Sequence, residues 1–226
     1  MLDLSVVIPL KPEEDCLERL REDLALLPDG VELLLVYPEG AKAPSFNISG
    51  KTVRLIPSKP GRAQQLNYGA DLASNTYLWF LHADSRFVPD TVSKLYQSIK
   101  QSPEALHYFN LEFYGGSSLM KLNAAGAWLR SHLLGIPFGD QGFCLSKELF
   151  QKIGAYPEDV LYGEDHLFVW YAKQQGIRLS YTGSTLLTSP RKYQCKGWLY
   201  VTISHQYLWI KQAFPEWIKT LFRKRT

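Results

Sequence analysis

Apolar positions in this chain form short continuous runs that alternate with helical stripes. Residues 4–10, 31–37 and 52–56 are apolar runs of strand length, rich in leucine and β-branched residues. Such continuous runs predict strands buried on both faces, as in parallel sheets. Leu17, Leu20, Leu24 and Leu27 recur at spacings of three and four, which predicts an amphipathic helix from Glu13 onward. This order of elements predicts a Rossmann-like α/β layer.

The alternation continues through the rest of the chain. Helices are predicted over residues 63–73, 89–100, 119–134 and 164–174, and strands over 77–81, 105–113 and 142–145. An aromatic-rich helix is predicted over residues 198–214, where Pro215 interrupts it because proline lacks the N–H that continues a helix. A short basic and aromatic helix follows Pro215.

The predicted strand 77–81 runs directly into His82, Ala83 and Asp84. In open α/β sheets, ligands bind outside the carboxyl ends of the strands. A carboxylate at that place is a suitable ligand for a hard divalent cation, which in turn can carry a diphosphate. The alternative is that Asp84 only caps the turn after the strand.

Arg62 follows a Pro60-Gly61 turn and begins a predicted helix. The N-terminus of a helix favours anions through its free N–H groups and its dipole, so Arg62 is a candidate phosphate ligand. A solvated surface arginine is an equal alternative at this stage.

Two further segments carry candidate chemistry. Residues 135–143 hold three glycines and a proline around Asp140 and Gln141, which would let a ligand approach the backbone. Glu164 and Asp165 open a predicted helix after Gly163. Together with Asp84 they suggest a shared cleft in which one carboxylate holds a metal and another acts as a base. An ordinary turn and a helix-stabilising acidic pair are the alternatives.

Charge is distributed unevenly over the 226 residues, although the net charge is only +3. Residues 191–226 contain eight Lys or Arg and one acidic residue, so that the remaining 190 residues carry a net charge of −4. A basic, aromatic-rich tail suggests contact with something anionic. Peripheral contact with the inner face of a membrane is one expectation, and packing on the body with a solvated basic face is the other. We expect no nucleic acid partner.

The three cysteines, Cys16, Cys144 and Cys195, are odd in number and lack metal-ligand spacing. They indicate reduced thiols and a cytoplasmic location. We expect neither a signal peptide nor a membrane-spanning segment.

Motifs distributed in order along the chain resemble those of family 2 glycosyltransferases of the GT-A fold. They are Ser-Val-Val-Ile-Pro at 5–9, Gly61-Arg62-Ala63 with Asn67, His82-Ala83-Asp84, Gly139-Asp140-Gln141 and Glu164-Asp165. Ser-Pro-Arg-Lys at 189–192 resembles a segment of a small bacterial subgroup that carries the His-Ala-Asp form of the DxD motif.

The resemblance implies a GT-A fold with a mixed, mostly parallel sheet, flanking helices and C-terminal helices. Residues 1–190 would form the nucleotide-sugar-binding and catalytic domain, with 191–226 as a helical extension packed on it. The implied activity is of the hexosyltransferase type. A sugar would pass from a UDP- or GDP-sugar to an unidentified acceptor hydroxyl by inverting displacement, assisted by Mn or Mg.

The resemblance also assigns roles residue by residue. Asp84 would bind the metal, and Asp165 would be the general base, with Glu164 beside it. Donor-binding residues would be Pro9, Glu13, Gly61, Arg62, Asn67, His82, Ala83, Asp84 and Arg191. Acceptor-side residues would be Gly139, Asp140 and Gln141.

Two departures from the family pattern keep alternatives open. His82 stands where the motif has its first acidic residue, so it is either a metal ligand or a supporting residue. Tyr37 stands where the family has an aspartate that contacts the base. A non-catalytic binding module of the same fold is therefore one alternative. A nucleotidyltransferase is another, although the acidic loop at residues 11–15, which lacks glycine, argues against it.

Overall fold

The structure is a computed structural model that describes residues 3–12 and 17–223, with side chains through residue 220. Its strands are β1 Leu4–Pro9, β2 Glu32–Pro38, β3 Thr52–Ser58, β4 Tyr77–Phe80, β5 Arg86–Phe87, β6 Leu106–Phe113, β7 Cys144–Ser146 and β8 Leu179–Thr188. Its helices are α1 Leu17–Leu24, α2 Arg62–Leu72, α3 Thr91–Gln101, α4 Met120–Leu133, α5 Lys147–Ile153, α6 Glu164–Gln174, α7 Arg191–Lys196 and α8 Trp198–Arg223.

The strands of the described residues form one sheet in the order β3-β2-β1-β4-β7-β6-β8-β5. β1 lies parallel between β2 and β4, and β7 runs antiparallel to both β4 and β6. Consequently β1 and β4 end at the same edge of the sheet, which is also the edge where β7 begins. The prediction of an α/β fold with a mixed, mostly parallel sheet is confirmed.

Each face of the sheet is covered by a hydrophobic core. Val7, Leu34 and Leu78 point to the side where α2 and α6 pack, whereas Leu33 and Trp79 point to the side of α1 and α3. Because neighbouring residues of a strand face opposite sides, a strand buried on both faces must be apolar throughout. This explains the continuous apolar runs of the sequence.

Four elements have no counterpart among the predictions: β5, α5, α7 and β8. β8 is the longest of the missed strands, and its sequence, with Gly183 and several Ser and Thr residues, has the composition of a loop. It pairs in parallel with β6, with a shift in register between Tyr108 and Asn110. Tertiary pairing therefore overrides a weak local preference.

The predicted interruption at Pro215 is wrong, because α8 continues through this residue to Arg223. The helix is fixed on both sides of the proline. Gln212 Nε2 donates to the Tyr162 carbonyl at 2.6 Å, and Gln174 Nε2 donates to Glu216 Oε2 at 2.8 Å. These contacts with α6 and the loop before it offset the missing backbone hydrogen bond.

Two glycines give a matched test of how tightly α2 packs on the sheet. A Cβ on Gly69 would lie 2.5 Å from Val7 Cγ1, whereas one on Gly126 in α4 would meet nothing within 4 Å. We expect Gly69→Ala to lower the free energy of unfolding by about 1–3 kcal/mol through overpacking. Gly126→Ala should raise it by about 0.5–1 kcal/mol, because alanine favours helix. Urea unfolding of both variants measures the difference, and equal effects would contradict the close packing.

Candidate active site

A cleft lies at the edge of the sheet where β1 and β4 end. Its lining residues are Pro9, Leu10, Lys11, Arg62, Gln65, His82, Ala83, Asp84 and Arg191. Six of the nine are sequence-predicted donor-binding residues, brought together from four separate segments. Among the described residues, the lining contains the carboxylate of Asp84 and the cationic side chains of Lys11, Arg62 and Arg191, so this part of the cleft suits an anionic ligand.

Arg62 begins α2 and connects this cleft to the acidic pair of α6. Its Nη2 contacts His82 Nε2, and its Nε lies 3.2 Å from Glu164 Oε1. A guanidinium can only donate, so Nε2 of His82 is the acceptor and the imidazole is neutral. Burial, and then the positive charge of Arg62, hold the pKa of His82 well below its usual value.

Asp165 is held by backbone donors from two directions. Gly139 N donates to Oδ2 at 2.7 Å, and His166 N donates to Oδ1 at 2.8 Å. Burial alone would raise the pKa of Asp165, but the charge of Arg62 and these N–H groups outweigh it and lower the pKa. Asp165 is therefore ionised at neutral pH.

Gly139 leaves no room for a side chain at this point. A Cβ there would lie 2.9 Å from Arg62 Nη2 and 3.0 Å from Asp165 Oδ2. Glycine thus allows the acceptor-side loop, the base candidate and Arg62 to approach one another. This placement agrees with the predicted position of Gly139, while its acceptor-side role stays a prediction.

Two more carboxyl groups of this region have raised pKa values. Burial raises the pKa of Glu164, which Arg62 partly opposes. Burial raises the pKa of Asp140 to about 6, against the charge of Arg130, and the neighbouring Asp165 and Asp84 add to the rise. Asp140 Oδ1 is buried, and no described residue forms a hydrogen bond with it.

Gln141, within the loop of residues 135–143 (the acceptor-side loop), is fully buried. Its Oε1 accepts from Ser131 Oγ at 2.9 Å, Phe138 N at 3.0 Å and Arg130 Nη2 at 3.2 Å, and its Nε2 donates to the Phe109 carbonyl at 2.8 Å. Gln141 thus fixes the shape of the loop from inside. The Arg130 guanidinium also lies 3.3 Å above the Phe138 ring, which braces the loop against α4.

Two further predicted donor-binding residues, Asn67 and Gly61, are not among the described residues that line the cleft. Asn67 Nδ2 donates to the Tyr156 carbonyl at 2.9 Å, and its Oδ1 accepts from Tyr156 N at 3.0 Å, so Asn67 ties α2 to the segment before α6. Gly61 precedes α2 with a φ of 135°, a conformation that favours glycine. Glu13 lies outside the described residues.

Lys11 and Gln65 are cleft residues that sequence reasoning missed. Gln65 Nε2 donates to the carbonyls of Leu10 at 2.8 Å and Val36 at 2.7 Å, which fixes the chain after β1. Lys11 lies two residues after Pro9. Its position just after the first predicted strand was the feature of the sequence that could have identified it as a cleft residue. Lys192, next to Arg191 in α7, is exposed, and its Nζ lies 2.7 Å from His205 Nε2.

The described residues contain no group of three or more His, Cys, Asp and Glu side chains placed to hold a metal ion. Asp84 is the carboxylate of the cleft lining, and His82 Nε2 is occupied by Arg62. Mg²⁺ in nucleotide sites is commonly held by one or two carboxylates together with substrate phosphates. The donor set therefore fits a cation whose coordination a phosphate ligand completes.

The amino-acid sequence matches glycosyl transferase family 2 over residues 5–134. The chain belongs to this family. No curated protein matches the sequence. The matched range contains β1, α2 and the His82-Ala83-Asp84 strand end, whereas the acidic pair of α6 lies beyond it.

Among solved structures, this family 2 chain is similar to TarS from S. aureus. One TarS structure superposes with a TM-score of 0.62 at 14% identity over 83% of this chain and 37% of that one. TarS 1-349 gives 0.62 at 16% identity, covering 85% of this chain and 62% of that chain. TarS 1-349 in complex with UDP-GlcNAc gives 0.61 at 15% identity, covering 83% and 58%. This chain spans less than two thirds of each, and the similarity at this identity shows the fold alone.

The raised pKa of Asp140 predicts a specific dependence of stability on pH. Because the folded-state pKa of about 6 exceeds the ordinary value of 3.8, the folded protein binds this proton more tightly, and stability falls as pH rises from about 4 to about 6. Asp140→Asn removes the ionisation. We expect it to raise the free energy of unfolding at pH 7.5 by about 1–2 kcal/mol.

Near pH 4 the gain from Asp140→Asn should disappear, because the natural carboxyl is then protonated. Asp71→Asn, at an exposed position of α2, is the matched control and should show no such dependence. Denaturant unfolding at the two pH values makes the comparison. A gain that is the same at both would contradict a raised pKa.

Proposed function

We propose that the chain transfers a sugar from a nucleotide-diphosphate-sugar to an acceptor hydroxyl, as a glycosyltransferase of the hexosyltransferase type. The observation that carries the proposal is Arg62, which lines an anion-binding cleft and contacts the acidic pair that begins α6. Membership of family 2 supports the reaction class. The complex of TarS with UDP-GlcNAc supports a UDP-sugar donor, and a GDP-sugar is the alternative.

The diphosphate of the donor would lie among Arg62, Arg191 and Lys11, which line the cleft at the end of β1 and β4. Guanidinium groups bind phosphate oxygens in pairs, which orients the diphosphate as well as attracting it. Pro9 and Ala83 add apolar walls, and His82 contributes through Arg62. A UDP- or GDP-sugar would therefore be held chiefly by its phosphates.

Asp165 would be the general base of an inverting displacement. Its carboxylate takes the proton of the acceptor hydroxyl while the hydroxyl oxygen forms a bond to the anomeric carbon. The bond from that carbon to the diphosphate oxygen breaks, and the diphosphate leaves with the electron pair. A donor diphosphate that engages Arg62 would weaken the influence of this charge on Asp165, which makes the carboxylate more basic once the donor is bound.

Asp84 would hold a divalent cation, Mn or Mg, in this reaction. When bound, the cation would neutralise charge that develops on the leaving diphosphate. Because Asp84 is the one carboxylate among the described lining residues, binding of the cation should depend on the donor phosphates. We further propose that the chain belongs to the bacterial subgroup marked by His82-Ala83-Asp84 and the Ser-Pro-Arg-Lys segment at 189–192.

Donor binding is testable by thermal unfolding. We expect UDP- or GDP-sugar with Mn or Mg to raise Tm by about 5–10 °C at a concentration near 100 Kd. The cation alone should have little effect. Asp84→Asn should abolish the rise that depends on the cation, because it removes the carboxylate charge, while Asp71→Asn should retain it. If no nucleotide-sugar raises Tm with either cation, the proposed function is wrong.

The role of Asp165 is separable from donor binding. Asp165→Asn should lower kcat by about 10²–10⁴-fold, because the amide cannot take the proton. The variant should still show the thermal shift with donor and cation. Release of nucleoside diphosphate with and without candidate acceptors measures the turnover. Donor binding without turnover in the natural chain, against a broad set of acceptor hydroxyls, would instead support a non-catalytic binding module.

A further inference from the structure

Helix α8 exposes an apolar stripe along most of its length. Its members are 51% to 64% exposed and recur at spacings of three and four: Leu199, Ile203, Tyr207, Ile210, Phe214 and Trp217. This spacing places them on one side of the helix. From the first to the last, the stripe extends about 27 Å. Soluble proteins rarely expose a continuous apolar surface of this kind unless something binds there.

The other side of α8 is fixed to the body of the protein. Val201, Ala213 and Glu216 are buried, and Phe138 of the acceptor-side loop contacts Trp209 with ring centroids 6.4 Å apart. The hydrogen bonds of Gln212 and Glu216 described above anchor the same side. The orientation of the helix is therefore set by its packing, and the stripe faces outward as a consequence.

The surroundings of the stripe are positively charged. Glu216 is the single acidic residue of α7 and α8, it is 5% exposed, and its Oε1 accepts from Lys219 Nζ at 2.6 Å. Lys196 and Lys211 are exposed, as are Arg191 and Lys192 at the start of α7. Among the described residues of α7 and α8, the exposed charged side chains are all cationic, and an apolar stripe beside them is complementary to an anionic lipid surface.

Helix α4 extends this surface. It has no acidic residue, and Leu122, Leu129 and Leu133 are 52% to 67% exposed. Asn123 of α4 joins it to the start of α8, because its Oδ1 accepts from Trp198 Nε1 at 2.6 Å. Tyr207 and Trp217 of the stripe are amphipathic, as is usual where protein meets lipid headgroups.

Within the described residues, no helix is both long enough and apolar enough to cross a membrane. The stripe must then contact a membrane from the side, with α8 parallel to its surface. A second copy of the chain would bring two cationic surfaces together, which charge repulsion disfavours. We propose that the stripe of α8, with the neighbouring leucines of α4, is a docking surface for a bilayer that contains anionic phospholipids.

This surface adjoins the acceptor side of the cleft. Arg130 of α4 braces the loop that contains Gly139 and Asp140, and Arg191 of α7 lines the cleft itself. Docking would therefore bring the acceptor-side loop close to the bilayer. If the proposed function holds, on which this step rests, an acceptor hydroxyl carried at the membrane surface is the substrate class that fits.

Sedimentation with vesicles tests the docking surface without reference to activity. We expect the chain to bind vesicles of phosphatidylcholine and phosphatidylglycerol, and to bind them about tenfold more weakly in high salt or when phosphatidylglycerol is left out. The triple variant Ile203→Gln, Ile210→Gln, Phe214→Gln should bind at least about tenfold more weakly than the natural chain. Lys196→Glu with Lys211→Glu should weaken binding as well.

The matched control carries Leu26→Gln and Leu161→Gln, at exposed apolar positions outside α4 and α8. It should bind vesicles as the natural chain does, and circular dichroism and Tm show that each variant is folded. Equal vesicle binding by the triple variant and the control would overturn the proposal. The proposal would also be overturned if the natural chain did not bind vesicles but self-associated in sedimentation equilibrium, and if the triple variant lost that self-association. Loss of vesicle binding with an unchanged donor-induced thermal shift separates this proposal from the proposed function.

Discussion

The arrangement of the cleft depends on the contacts that the Arg62 guanidinium makes with His82 and Glu164. Arg62 stands at the first residue of α2, contacts His82 at the end of β4 and lies beside Glu164 at the start of α6. Three elements that are distant in sequence thus meet at one positive charge. Burial by itself would raise the pKa of Asp165. The positive charge of Arg62 is the largest of the effects that lower this pKa instead. Any ligand that engages Arg62 must therefore also alter the acidic pair.

Glycine makes this meeting possible. The loop of residues 135–143 passes so close to Arg62 and Asp165 that a methyl group at Gly139 would lie 2.9 Å from Arg62 Nη2 and 3.0 Å from Asp165 Oδ2. The buried amide of Gln141 then holds the loop from beneath through four hydrogen bonds. The loop that approaches Asp165 is therefore fixed by hydrogen bonds from within the protein. Arg130 extends this support to α4, so that the outer helices and the cleft are mechanically connected.

The helices that support the cleft also carry the exposed apolar surface. α4 and α8 each turn one side to the acceptor-side loop and another side to solvent. Their cationic, apolar exterior contrasts with the carboxylates gathered beneath. A surface of this composition is costly for a protein that meets only water. The two helices therefore connect the acceptor-side loop, where an acceptor would bind, to the exposed apolar surface, where a partner surface would bind.

The sequence by itself determined the α/β class, the order of most strands and helices, and six of the nine residues that line the cleft. The class and the order of elements follow because strands buried on both faces need unbroken apolar runs, and Arg62 and Asp84 were candidates because they follow a turn before a helix and a buried strand. The other four lining residues, Pro9, His82, Ala83 and Arg191, came from the resemblance to the motifs of family 2 glycosyltransferases. It did not reveal β8, the passage of α8 through Pro215, or the role of Gln141 inside the loop. Those features depend on partners far away in the chain: β6 for β8, α6 for α8, and Phe109 and Ser131 for Gln141. Tertiary structure also decided that Arg62 contacts His82 and Glu164, because contacts among three separate segments depend on packing that no local pattern encodes.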